Sequence, residues 1–297
     1  MIKVVSQPSA QDLMQGFAEK KPAEQIQLLE KLKLRVNQAF LTGTPEQKAD
    51  VLSNVFPVLE KTVKDASIWG GLEGGEKIDV ARKCLDVASH VTSVEAVYLF
   101  VNTLKHASPE IRASVMEYTA DLAGRIWKSG KPGLVSIMKD AFVPIVESIA
   151  SGKMELKPQD GIADYPDVMR FRAIETLGKI AAGRSMGTLT GILNDKKTKM
   201  VHRTAAAESL LEVLEQHENT TNPTPLGFHS QVLRDMTKSL NERALDPDEN
   251  PVLRGKIISN MWRAGTTFTD DLREVVRNHS QFKQQALETL KRMYPDR

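Results

Sequence analysis

Between Asp164 and Leu214 the chain twice writes the order Arg-x-x-Ala-x-x-x-Leu, first as Arg170, Ala173 and Leu177, then as Arg203, Ala206 and Leu210. Offsets of three and seven place the alanine and the leucine on one helical face, so each copy is an amphipathic helix with a nearly bare seam at its alanine. A second helix has to cover that seam. Weaker copies keep the same order: Arg82 with Leu85, Arg112 with Val115, Arg254 with Ile257 and Met261, and Lys283 with Ala286 and Leu290. The cations at 82, 112, 170, 203, 254 and 283 are 30, 58, 33, 51 and 29 residues apart. Three gaps approximate one repeat, one approximates two, and one fits a repeat with a long insertion. A period near thirty residues, two helices per period, is the size of an α-solenoid unit.

Composition agrees with helices built on small seams. Aromatic residues make up only 5% of the 297, against 41% apolar overall, which disfavours a β-sandwich. The 40 basic and 38 acidic residues leave a formal charge of +2, which argues against an obligate DNA-coating protein but leaves room for a local basic face. The single cysteine, Cys84, cannot form an intramolecular disulfide, and a reducing, cytoplasmic setting is expected. The apolar run Met1–Val5 is too short for a signal peptide. No stretch reaches the length of a membrane span, so no membrane partner is expected.

Along the chain, Pro22 and Pro45 open helices, and Pro57 and Pro144 each predict a kink or a break. Helices are expected over 77–88, 94–104, 134–149, 229–244, 251–263, 269–278 and 282–293, with another opening at Ser108-Pro109-Glu110 and running towards Trp127. The glycine-rich segment 67–75 lacks the Lys-Ser/Thr ending of a phosphate loop and carries Glu73, so it reads as a connector. Polar insertions at 151–165 and 218–227 are long enough to carry function. Residues 1–65 have helical period but no motif and are expected to cap the exposed end of the array; residues 66–297 form the repeats, in one continuous all-helical domain.

No catalytic, metal or cofactor constellation is found. HExxH, CxxC, Walker and nucleophile-elbow patterns are absent, and the six histidines are dispersed. Asp246–Asn250 begins like a calcium loop, but Pro251 stands where the glycine is needed and Ile257 where the bidentate glutamate is needed, so an inter-repeat turn is the better reading. Cys84, beside Arg82 and Lys83, reads as a small buried hydrophobe rather than a reactive thiol. The densest cationic cluster is Lys196, Lys197 and Lys199 with Arg203, a candidate surface for an acidic partner.

An acid, a proline, an apolar-Arg pair and two apolar residues recur in fixed order: Asp164, Pro166, Met169-Arg170, Ala173 and Leu177, then Asp248, Pro251, Leu253-Arg254, Ile257 and Met261. This pattern resembles HEAT repeats, particularly the short type also found in phycobilisome lyases. The resemblance implies a right-handed α-α superhelix. It also implies a ladder of such acid and arginine side chains between successive repeats, the acid standing six residues before the arginine as Glu76 does before Arg82; Asp195, eight before Arg203, departs from that spacing. The leading expectation is a non-enzymatic scaffold binding a protein or peptide along its concave face. A second reading is a HEAT-like DNA-binding protein or an alkylpurine DNA glycosylase, because the chain resembles the HEAT-like alkylpurine DNA glycosylases in size and fold. For that reading Trp127, Trp262, Asp121, Arg125 and Arg263 are the candidate residues.

Overall fold

The computed structural model describes residues 10–67, 75–106, 109–129, 131–154, 165–180, 183–218 and 230–294, all helical or in short connections with no strand among them. The glycine-rich segment and most of the two polar insertions lie outside the described residues. Two compact units are present, the first comprising Met1–Ile145 with Pro158–Tyr165 and the second Val146–Lys157 with Pro166–Arg297.

The first unit contains α1 (Ala10–Met14), α2 (Pro22–Thr42), α3 (Pro45–Asp50), α4 (Phe56–Ser67), α5 (Gly75–Ala88), α6 (Val94–His106), α7 (Pro109–Lys128) and α8 (Pro132–Ile137); α9 (Val143–Ala150) carries the boundary. Helix α5 is its centre, packing against α2, α4 and α7. Its sequence explains the position: Val80, Ala81, Cys84, Leu85, Val87 and Ala88 cover most of its circumference and all are buried, the pattern of a helix apolar on nearly every side. Cys84 is fully buried there, and burial pushes its thiol pKa up, which removes the nucleophilic form. Two of the helices expected to form an end cap, α2 and α4, pack directly on this helix.

Neither Pro57 nor Pro144 breaks the chain. Each is preceded by a π-turn, Val51–Val55 and Met138–Phe142, which joins α3 to α4 and α8 to α9. Proline cannot donate the amide hydrogen bond of an α-turn, and a widened turn beforehand lets the helix continue around the missing donor.

The second unit holds α10 (Tyr165–Ile180), α11 (Met186–Asn194), α12 (Met200–Glu218), α13 (Ser230–Leu245), α14 (Pro251–Asn260), α15 (Thr269–Asn278) and α16 (Lys283–Met293). The helices pair as α11 with α12, α13 with α14 and α15 with α16. Helices of like position also touch from pair to pair: α11 meets α13, α12 meets α14, and α14 meets α16. Ala173, Ala206 and Ala286 are all fully buried, as the bare seam requires.

The tightest approach in this unit falls one residue after Leu177. A Cβ added at Gly178 would stand 2.6 Å from the Ser209 Cβ and 2.9 Å from its Cα, and Ser209 donates its hydroxyl to the Ile174 carbonyl of α10. Gly178→Ala is therefore expected to destabilise the second unit by about 1–3 kcal/mol through overpacking. Gly187→Ala in α11, where an added Cβ meets nothing within 4 Å, is expected to be neutral or stabilising. Urea unfolding of the two variants checks the contrast; equal stabilities would mean the α10–α12 contact is not tight.

Candidate functional site

The repeated arginines of the second unit share one geometry. Nε of Arg170 donates to the Ala150 carbonyl at 2.8 Å, Nε of Arg203 to Leu193 at 2.9 Å, and Nε of Arg254 to Ala244 at 3.0 Å. Each acceptor lies at the end of the preceding helix, α9, α11 or α13, where carbonyls lack intrahelical partners and the helix dipole is negative. The rest of each guanidinium reaches the turn of the following pair. Arg170 meets the Thr198 hydroxyl at 3.5 Å, Arg203 grips both carboxylate oxygens of Glu249, and Arg254 bonds His279 Nδ1 at 3.2 Å while lying 4.7 Å from the Phe282 ring centre.

The arginines thus link successive pairs, though the acid that Arg203 takes, Glu249, is not one of those standing six residues before a repeated arginine. Arg254 bonds Ala244 and His279 rather than Asp248, and Arg82 has Asp79 at 3.8 Å rather than Glu76; Asp164 lies outside the described residues. The position that matters is eight before the arginine. There Asp195 and Asp246 each open a turn by accepting the backbone N–H two residues on, at 3.0 and 2.9 Å, a local bond that fixes such turns. Asp195 is therefore the regular case and not the departure. Asp246–Asn250 is the turn joining α13 and α14, with Asp246 also accepting from Lys196 and Arg243.

Arg203 and Glu249 form the most secluded of these contacts, with side chains 4% and 2% exposed. Burial alone would raise the Glu249 pKa. The hydrogen bonds from Arg203 and the Asn250 N–H, with the charges of Arg203 and Arg243, hold it below the usual carboxylate value, so the pair is ionised at neutral pH.

The cationic cluster is largely met from within. Lys196 pairs with Asp246 at 3.1 Å, Lys199 with Asp167, and Arg203 with Glu249, while Lys197 is exposed. Arg263 donates to Glu215 at 2.6 Å. Trp262 is half-buried, with Arg292 5.8 Å from its ring centre. The Trp127 side chain lies outside the described residues. Asp121 and Arg125 belong to the first unit, Trp262 and Arg263 to the second.

A feature the motif reading missed stands beside the ladder. Two residues before Arg170, Arg203 and Arg254 are Val168, Val201 and Val252, exposed by 47, 51 and 66%. The residues between, Met169, His202 and Leu253, are fully buried. Val-x-Arg also occurs at Val80-Arg82, Val232-Arg234 and Val275-Arg277, where Val80 and Val275 are buried, so burial and not the motif singles out these three. His202 fills a slot that is otherwise apolar, its Nε2 3.0 Å from the Asp167 carbonyl oxygen.

The first unit carries a cleft of about 480 Å³ between α2, the turn after α5, and α7. Asn37, Phe40, His90, Thr92, Asp121 and Arg125 are among its walls. Arg125 Nη1 donates to Asn37 Oδ1 at 2.6 Å, tying α7 to α2. His90 is only 6% exposed, and its pKa is lowered to about 4 by burial first, then by the Arg125 and Lys33 charges, against the opposing pull of Asp86 and Asp121. Its imidazole is neutral at physiological pH. A smaller hollow of about 310 Å³ in the second unit is lined by Lys153, Arg170, Gly187, Gly191 and Thr198. Among the described residues no group of three or more His, Cys, Asp or Glu is placed to hold a metal ion, and no helix is long and apolar enough to cross a membrane.

No family model matches the chain, and no curated protein matches it either.

His90 makes the first unit sensitive to acid. Its folded pKa lies below the unfolded value near 6.5, so the unfolded chain takes up the proton first and stability is lost as pH falls from about 6.5 towards 4. Between pH 7 and 5 this histidine is expected to remove about 2 kcal/mol. His90→Gln should flatten the urea-unfolding stability over that interval by a similar amount; an unchanged pH dependence would show that His90 titrates normally.

Proposed function

We propose that this chain is a non-enzymatic interaction scaffold whose second unit is a short right-handed α-solenoid binding a protein or peptide segment. The observation that carries the reading is the row of Val168, Val201 and Val252. Single exposed valines are ordinary on any surface. Three at the same position of successive repeats, each beside a buried neighbour and an arginine that fixes the spacing, form a built apolar edge.

Helices of like position in packed pairs are about 8–10 Å apart, so three valines span roughly 20 Å. An extended segment of about six residues covers that distance. The nearby charges of Lys196 and Lys199 are already matched by Asp246 and Asp167, which favours an apolar partner over a polyanion. The pairing of Arg263 with Glu215 and the half-burial of Trp262 take from the DNA-glycosylase reading a free cation and an open stacking face.

Peptides selected by display on the wild-type protein provide the test. The triple variant Val168→Ser, Val201→Ser and Val252→Ser, which alters only exposed side chains, is expected to lose at least about tenfold in affinity for them. Wild-type binding should change little with salt. Peptides binding equally well to the triple variant, or DNA binding that falls steeply with salt, would contradict the proposal.

A further inference from the structure

The cleft of the first unit lies in the other compact unit from the valine row, and its chemistry differs. Its apolar lining is Phe40 and Leu41 of α2 with Gly124 of α7; Leu41 is 64% exposed. Its polar lining includes Arg125, Asn37 and His90. Two polar atoms here are unsatisfied: among the described residues neither Arg125 Nε nor His90 Nδ1, both buried, has a hydrogen-bond partner. His90, 6% exposed, and Arg125 both line the cleft, and buried polar side chains at a cavity wall with donor capacity left unspent mark a candidate ligand site.

We propose that this cleft binds a monocarboxylate carried on an apolar group, its carboxylate at Arg125 and His90 and its apolar body against Phe40, Leu41 and Gly124. A carboxylate accepts from both a guanidinium N–H and a neutral imidazole N–H, the two donor types present. Charge selects the monoanion: Asp121 stands one helical turn before Arg125 in the same cleft, so a dianionic phosphate would face one arginine and one carboxylate. The volume of about 480 Å³ matches a small organic acid or the last residue of a peptide. These two sources share the chemistry.

Titration calorimetry on the full chain tests the proposal with 3-phenylpropionate, 3-phenylpropionamide, inorganic phosphate, and a short peptide ending in leucine with its C-terminus free or amidated. Saturable binding of the free acid or the free peptide is expected, weakened at least about tenfold when the carboxylate becomes an amide, and at least as much in Arg125→Gln. The tighter of the two carboxylates identifies the source. Gly124→Leu fills the cleft from a helical position where an added Cβ meets nothing within 4 Å. This variant should abolish binding while thermal unfolding stays at or above the wild-type temperature. No saturable binding of any carboxylate up to about 10 mM, equal binding of acid and amide, phosphate binding as tightly as the acid, or binding that survives Gly124→Leu would overturn it. Because the valines are not involved, failure here leaves the peptide-display result for the second unit unaffected, and the reverse holds.

Discussion

One side chain per repeat does two jobs in the second unit. Arg170, Arg203 and Arg254, each near the start of its helix, take a carbonyl that the preceding helix leaves unpaired at its end and spend their remaining donors on the turn of the next pair. Arginine suits this position because its donors form a rigid planar fork, one edge for a carbonyl and the other for a carboxylate or hydroxyl. Lysine, a point charge on a flexible stem, would satisfy one partner at a time. The contact therefore links three segments: the end of one helix, the start of the next, and a turn a full repeat away. Gly178 and the buried alanines set how close the helices come, and the arginines hold successive pairs in step.

Where the three arginines differ, their partners explain how the ladder tolerates sequence change. Thr198 gives Arg170 a neutral acceptor, Glu249 gives Arg203 a buried ion pair, and His279 with Phe282 gives Arg254 a ring nitrogen and an aromatic face. The Nε-to-carbonyl bond is common to all three. A backbone acceptor at a helix end does not depend on which residue supplies it, so the invariant half of the contact is the half that sequence variation cannot remove. The variable half sets local stability, strongest where Arg203 and Glu249 are both secluded from water.

The helices were legible because the 3.6-residue period is strong and the prolines and turn residues mark the starts. Proline signals at 57 and 144 identified the places of irregularity; the π-turns that resolve them depend on how the flanking segments pack. The ladder was legible as a row of cations but not in its pairing. The recurring acids and arginines suggested links between successive repeats, but the acid that Arg203 takes, Glu249, lies 46 residues beyond it, and no local spacing reveals which acid closes a bond of that range. The exposed valines were present in the sequence as Val-x-Arg, but periodicity treats every valine as a core residue, and only burial separates Val201 from Leu210. The cleft at Arg125 joins residues 88 positions apart, so it follows from packing in the first unit and not from any motif.

A double-mutant cycle on Arg203 and Glu249 addresses the central claim that arginines couple consecutive pairs. Arg203→Met, Glu249→Gln and the double variant would be compared by urea unfolding. Each single change is expected to destabilise by several kcal/mol, about 3–5, because it strands a buried polar group. The double variant is expected to be more stable than the sum of the two predicts, by about 2 kcal/mol or more. Additivity within about 0.5 kcal/mol would mean that the two side chains act independently and that the ladder does not hold the pairs together.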